Sequence, residues 1–145
     1  MTQPLHIGLL GAMPEEIGSN LSHLKGLSCS DHGDLRIHRG SWDDTARLSL
    51  TWSGWGKVSA ARAATRLIAS DPSIDLLLFT GVAGAADPAL RQWDVLLADA
   101  VVQHDMDARP LFPRFTLPAL NQDRLEPQPA WFDCCLLYTS PSPRD

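Results

Sequence analysis

Apolar residues gather into five short runs along the chain. Three are nearly continuous, "LHIGLL" (5–10), "IDLLLFTG" (74–81) and "DVLLADAVV" (94–102), the pattern of strands covered on both faces. Two others, "LRIHRG" (35–40) and "RLSLTW" (47–52), alternate apolar with polar positions. They predict a half-exposed antiparallel pair with Asp43 and Asp44 in the turn between them. A helical period appears twice. The first helix begins near Pro14, whose missing N–H is not needed at an early helical position. Ile17, Leu21 and Leu24 then share a face, and Gly26 stops the helix. The second, "KVSAARAATRLIAS" (57–70), sets Val58, Ala61, Thr65 and Ile68 on a face of mostly small residues suited to packing on a sheet. Strands alternating with helices, with a hairpin inserted, predict a layered α/β fold with a mixed sheet.

The pattern fails from about residue 109. "RPLFPRFTLPALNQDRLEPQPAWFD" carries five of the eleven prolines and no sustained period. It reads as a long loop, ordered by a partner or by chain that follows it. The closing "CCLLYTSPSPRD" resembles a translated sequencing-adaptor tail. Residues 134–145 are therefore set aside as non-native, with a genuine flexible terminus as the alternative, and 1–133 are left as one N-terminal part of a domain.

Composition narrows the class. The 145 residues suffice for one domain with a core, and 44% are apolar, which is globular rather than disordered. Net charge is −5 and the twelve Lys and Arg are scattered. A nucleic-acid binder would carry a basic stripe, so a small-molecule or protein partner fits better. No run approaches the roughly 20 apolar residues that span a bilayer, and the first residues lack the basic start of a signal peptide. Cys29, Cys134 and Cys135, an odd number with two adjacent, make neither a disulfide framework nor a zinc spacing. A cytoplasmic location with no metal and no cofactor is the expectation.

Chemistry enters at "GAMPEEI", where a strand hands over to a helix at Glu15 and Glu16. In parallel α/β sheets, ligands bind beyond the carboxyl ends of the strands. Unpaired N–H groups of a first helical turn hold a carboxylate ionised, so that it orients and deprotonates a water. The same residues are also favoured there for helix stability alone, and spacing does not choose between the two. "SGWGKVSAA" (53–61) and "TGVAGAAD" (80–87) are glycine-bearing turns that bring backbone close to a ligand or simply turn tightly. Neither has P-loop spacing or the dinucleotide-binding pattern. His104, Asp105 and Asp107 read as a His–Asp pair bracing a loop rather than as a metal site.

In this order, "IGLLGAMPEEI", "SGWGKVSAA", "TGVAGAAD" and "WDVLLADAVVQHDMDA" resemble the N-terminal half of the 5′-methylthioadenosine/S-adenosylhomocysteine nucleosidases, in the nucleoside phosphorylase superfamily. The similarity runs from about Ile7 to Phe115, with a weaker echo to Asp133. It implies a three-layer αβα fold with a mixed central sheet, here truncated. It also implies hydrolysis of the N-glycosidic bond of an adenine nucleoside thioether, releasing adenine and a 5-thio-substituted ribose. The transition state resembles an oxocarbenium ion, so a carboxylate acts by activating water and by opposing positive charge on the sugar.

The second Glu of the family's motif corresponds to Glu16, which the resemblance makes catalytic. Ala12 and Met13 line the ribose and 5′ region, and Gly84 contacts substrate with Val82 and Ala83 beside it. Trp55 stands where the family usually has Ile and faces the apolar 5′ pocket. Ala108, Leu111 and Pro113 reach the neighbouring subunit's site in a homodimer. Departures are Gly84-Ala85 for "AGG" and Trp93-Asp94 for "xGD". The Ala85 methyl matters if that position needs positive φ, and Trp93 alters a loop. The family's leaving-group Asp, its Met-Glu pair for the ribose hydroxyls and its adenine-stacking aromatic belong to a C-terminal half not represented here. The 145 residues alone are accordingly expected to be inactive. The alternatives are another purine nucleoside hydrolase or phosphorylase of the superfamily, or a non-catalytic dimerising half-fold.

Overall fold

β1 (Leu5–Gly11) is an interior strand of a five-stranded sheet in the computed structural model, which describes residues 3–139. Its companions are β2 (Lys25–His32), β3 (Leu35–Ser41), β4 (Ala46–Trp52) and β5 (Leu76–Phe79), in the order β2-β3-β4-β1-β5. β1 runs parallel to β4 and β5, with Leu9 opposite Leu50 on one side and Leu78 on the other. β3 is antiparallel to both β4 and β2, so the sheet is mixed.

Successive strand residues point to opposite faces, and Leu10 and Leu9 accordingly serve two cores. Leu10 packs with Leu35 and Ile37 against Ala63 and Leu67 of helix α2 (Lys57–Ser70). Leu9 and Leu50 pack against Ile17, at the end of the one-turn helix α1 (Pro14–Ile17), with Leu21, Trp52 and Leu78 beside them. Helix, sheet and helix make three layers. All of this lies in a unit ending at Gly84.

Several elements differ from the pattern-based expectation. The first helix does not reach Gly26; α1 gives way to a 3₁₀ segment at Gly18–His23, and β2 starts at Lys25. Side chains compete with the helix there: Asn20 Nδ2 donates to the Ile17 carbonyl and Ser22 Oγ to that of Ser19, as short polar residues do. Ile17 and Leu24 are still buried. Strand β2 was not expected at all. Its residues are mostly exposed, so it has no apolar alternation to betray it, and Gly26 (φ 63°) lies where its register with β3 shifts, a bulge. In α2 the packed residues are Ala63, Ala64 and Leu67, not the Val58 face; Val58 and Ile68 are exposed. The antiparallel pairing of β3 and β4 is as the alternation implies, with Asp43 Oδ1 accepting from the N–H groups of Thr45 and Ala46 in the turn. But β4 is not half-exposed: it lies between β1 and β3, and Leu48, Ser49, Leu50 and Thr51 are all buried.

At the amino end of β1, His6 is buried. Its Nδ1 lies 2.9 Å from Ser73 Oγ, its Nε2 2.9 Å from Ser49 Oγ and 3.8 Å from Asp71. This network sits at the opposite strand end from Glu16.

The second unit begins at Ala85. The expected strand at 94–102 is absent. Val101 instead exchanges two 2.9 Å backbone hydrogen bonds with Leu125, an isolated bridge, and Val95 and Leu96 are exposed. The expected loop beyond residue 109 holds a second bridge, Leu117 to Gln122, and ends in helix α3 (Pro129–Thr139). Residues 134–139 of the tail set aside above lie in that helix, and 140–145 lie outside the described residues. Trp93 adopts φ 76°, a conformation that favours glycine. Ala85 is not among the positive-φ residues, so its methyl meets no such penalty.

Candidate active site

The ends of two parallel strands, β1 and β5, bring backbone N–H groups to one carboxylate. Met13, extended at φ −130° and ψ 152°, is the residue before α1, and Pro14 opens the helix, where its fixed φ costs nothing. Glu16 therefore falls at the third helical position. Its Oε2 accepts hydrogen bonds from the N–H of Met13 at 3.0 Å and of Ala12 at 2.7 Å, the backward reach of a third-position Glu to the cap. Ile17, fully buried, anchors the turn against the sheet.

β5 supplies the third donor. Beyond its last residue, Thr80 N–H donates to the Leu10 carbonyl at 3.0 Å, carrying the β1–β5 pairing past the strand. Two residues later Val82 N–H donates to Glu16 Oε1 at 3.1 Å. From β4, Ser53 N–H donates to the Gly11 carbonyl at 2.9 Å and Gly54 N–H to the Ala12 carbonyl at 3.0 Å. The β4–α2 turn is thereby tied to the same edge. Gly54 and Gly56, at φ 77° and 93°, bend that turn around Trp55, which is 80% exposed.

The electrostatics follow from the donors. Backbone N–H groups of Met13, Val82 and Ala12 favour the charged carboxylate and hold Glu16 below the usual range, against a smaller opposing effect of burial. The sequence predicts first-turn N–H groups in this role; the donors are instead Ala12 and Met13, which precede α1, and Val82 beyond β5. A carboxylate so held stays ionised through neutral pH and keeps acceptor capacity on its open side. It is a weak base but a lasting negative charge, suited to orienting a water and to opposing a developing cation.

The candidate residues fall into two sets. Ala12, Met13, Glu16 and Val82 meet through the hydrogen bonds above, and Trp55 follows Gly54 at the same edge. Val82 is 81% exposed, and Ala83 and Gly84 continue from it, exposed. A Cβ on Gly84 would meet nothing within 4 Å. Ala108, Leu111 and Pro113 belong to the second unit, where the Ala108 carbonyl accepts from Leu111 and Phe112 N–H; Leu111 is 83% exposed. In the His104 loop, Asp107 is bound by Arg109 through two side-chain hydrogen bonds and a backbone one. Gly81 also belongs to the site, although its sequence does not mark it. A Cβ there would lie 2.8 Å from Glu16 Oε1, and no local signal in "TGVAG" separates Gly81 from Gly84.

A family model described as the phosphorylase superfamily matches residues 6–139. The chain belongs to that superfamily. Within it, a 5′-methylthioadenosine/S-adenosylhomocysteine nucleosidase of Staphylococcus aureus (strain bovine RF122 / ET3-1) is 39% identical over 102 residues, covering 70% of this chain and 44% of the relative. The chain thus spans under half the length of that relative. Among solved structures, a nucleosidase of the same kind from Colwellia psychrerythraea in complex with adenine superposes with TM-score 0.86 and 28% identity, over 93% of this chain and 55% of that one. A Helicobacter pylori mutant with 5′-methylthioadenosine in its active site gives TM-score 0.83 and 28% identity, over 95% and 58%. The α/β fold with its mixed sheet is that of these superfamily members.

Proposed function

We propose that this chain carries the water-activating carboxylate of a nucleosidase that hydrolyses the N-glycosidic bond of 5′-methylthioadenosine and S-adenosylhomocysteine. The observation that carries the reading is Glu16, ionised by three backbone N–H groups at the carboxyl ends of β1 and β5. A water held by its open side attacks the anomeric carbon as the bond to adenine breaks. The negative charge opposes the oxocarbenium ion before the water's proton reaches the carboxylate. Met13 and Ala12 face the ribose, Val82, Ala83 and Gly84 border it, and Trp55 walls the 5′-thioether. In a homodimer, Ala108, Leu111 and Pro113 close the neighbour's 5′ pocket. The odd cysteine count favours a reducing cytoplasm.

The 145 residues alone are expected to release no adenine, since the leaving-group acid is assigned to sequence outside them. The test is a chimera in which residues 1–115 replace the matching segment of the Staphylococcus aureus relative. We expect adenine release from methylthioadenosine, and Glu16→Gln to lower it by about 10²–10⁴-fold. Unchanged hydrolysis in that variant refutes the assignment. Release that requires added phosphate would move the protein to the phosphorolytic branch of the superfamily.

A further inference from the structure

We propose that Gly81 is the positioning residue for Glu16: its missing side chain leaves the space in which the carboxylate meets the Val82 N–H. A Cβ built on Gly81 would stand 2.8 Å from Oε1, 3.1 Å from Cδ and 3.3 Å from Oε2 of Glu16. Contacts under 3 Å force something to move. The carboxylate is the free end of a flexible side chain, whereas Gly81 directly follows Thr80, whose N–H is bonded to the Leu10 carbonyl. The carboxylate therefore yields, and it leaves its donors as it does so.

The backbone gives no second reason for glycine here. Gly81 is not among the glycines with positive φ, unlike Gly54 and Gly56. Positive φ does not require glycine at this position, and the three nearest atoms a Cβ would meet all belong to Glu16. Gly84, three residues on in the same loop, has open space around it and no positive φ. The two glycines form a matched pair, one facing the carboxylate and one facing nothing. The inference rests on the proposed function only for the task the carboxylate performs; its geometry is independent of substrate.

The experiment is a carboxyl-carbon NMR titration of Glu16 in the full 145-residue chain, with no substrate present. With Gly81→Ala, we expect the Glu16 pKa to rise toward the ordinary glutamate range as N–H bonds are lost, and the Val82 amide resonance to move with it. With Gly84→Ala, both stay as in the unaltered chain. An unchanged Glu16 titration in Gly81→Ala, or an equal rise in Gly84→Ala, overturns the proposal. Should Gly81→Ala fail to fold, the Glu16→Ala/Gly81→Ala double variant decides. With no carboxylate to displace, it should fold, because a glycine-to-alanine change at an ordinary φ is normally tolerated; if it too fails, the proposal falls. Hydrolysis surviving Glu16→Gln in the chimera would refute the function and leave this titration standing, so the two failures are distinguishable.

Discussion

The two halves of the chain contain apolar runs of similar strength and use them differently. Up to Gly84, Leu9, Leu10, Leu35, Ile37, Leu48, Leu50 and Leu67 are all buried between sheet and helices. From Ala85 onward, Thr116 is the single buried residue among those described, while Trp93, Val95, Leu96, Val101, Val102 and Leu111 are exposed. "IDLLLFTG" finds the edge of β1 and becomes a strand; "DVLLADAVV" contributes one bridge. Hydrophobicity supplies the drive to bury, but a core also needs a second surface to bury against. The carboxylate sits on the half that has one.

The largest expected effect tests this contrast directly. Ile37 is fully buried on the α2 face of the sheet, so Ile37→Ala should cost about 2–5 kcal/mol, the range for emptying a packed site. Leu111 is exposed, and Leu111→Ala should change stability by no more than about 0.5 kcal/mol. Urea unfolding of the two variants measures the difference. Equal losses would mean that the second unit holds a core of its own.

The same contrast explains what was legible in the sequence. β1, β3, β4 and α2 could be located because each carries a periodic or continuous apolar pattern within a few residues. β2 could not, since "KGLSCSDH" lies exposed at the sheet edge and is recruited by its hairpin with β3. The false strand at 94–102 has the right composition, and composition says nothing about whether an unpaired edge is available. Even β5 is only half covered: Leu76 and Leu78 are partly buried, while Phe79 on the outermost strand is 59% exposed. In the site, "GAMPEE" offers Glu15 and Glu16 alike; the resemblance singles out Glu16, and its local donors, Ala12 and Met13, lie before the helical turn that the sequence points to. The Val82 N–H is not legible there at all, because it arrives from 66 residues away, and the need for glycine at 81 appears only once that long-range contact is known.

A second test separates the halves by pH. His6, inside the first unit, has its pKa lowered chiefly by burial. Arg47 and Arg39 push the same way, and Asp71 and Asp75 oppose them. The unfolded chain therefore takes up a proton first as pH falls below about 6.5. Stability should then decline with falling pH, by at most about 1.4 kcal/mol per pH unit for one proton, until the folded His6 also titrates. His6→Gln should flatten this slope between pH 7 and 5 in urea titrations. A slope that persists unchanged would assign the acid sensitivity elsewhere, for instance to His38, whose pKa burial also lowers.

The smallest effect belongs to the second unit. Arg109 holds the Asp107 carboxyl down to about 2, chiefly through side-chain hydrogen bonds, with the backbone N–H of Arg109 adding to them. A folded pKa so depressed would ordinarily add stability above the unfolded value and lose it as pH falls toward 2. Here the partners are two residues apart and both largely exposed, so the pair can form nearly as well in the unfolded chain, and linkage cancels when both states share the shift. Arg109→Ala should therefore raise the Asp107 pKa, seen by carboxyl-carbon NMR, without moving the urea midpoint at pH 7. A midpoint that did move would show that folding, rather than sequence proximity, brings Arg109 and Asp107 together, and would give the second unit a cooperative structure that its exposed apolar residues argue against.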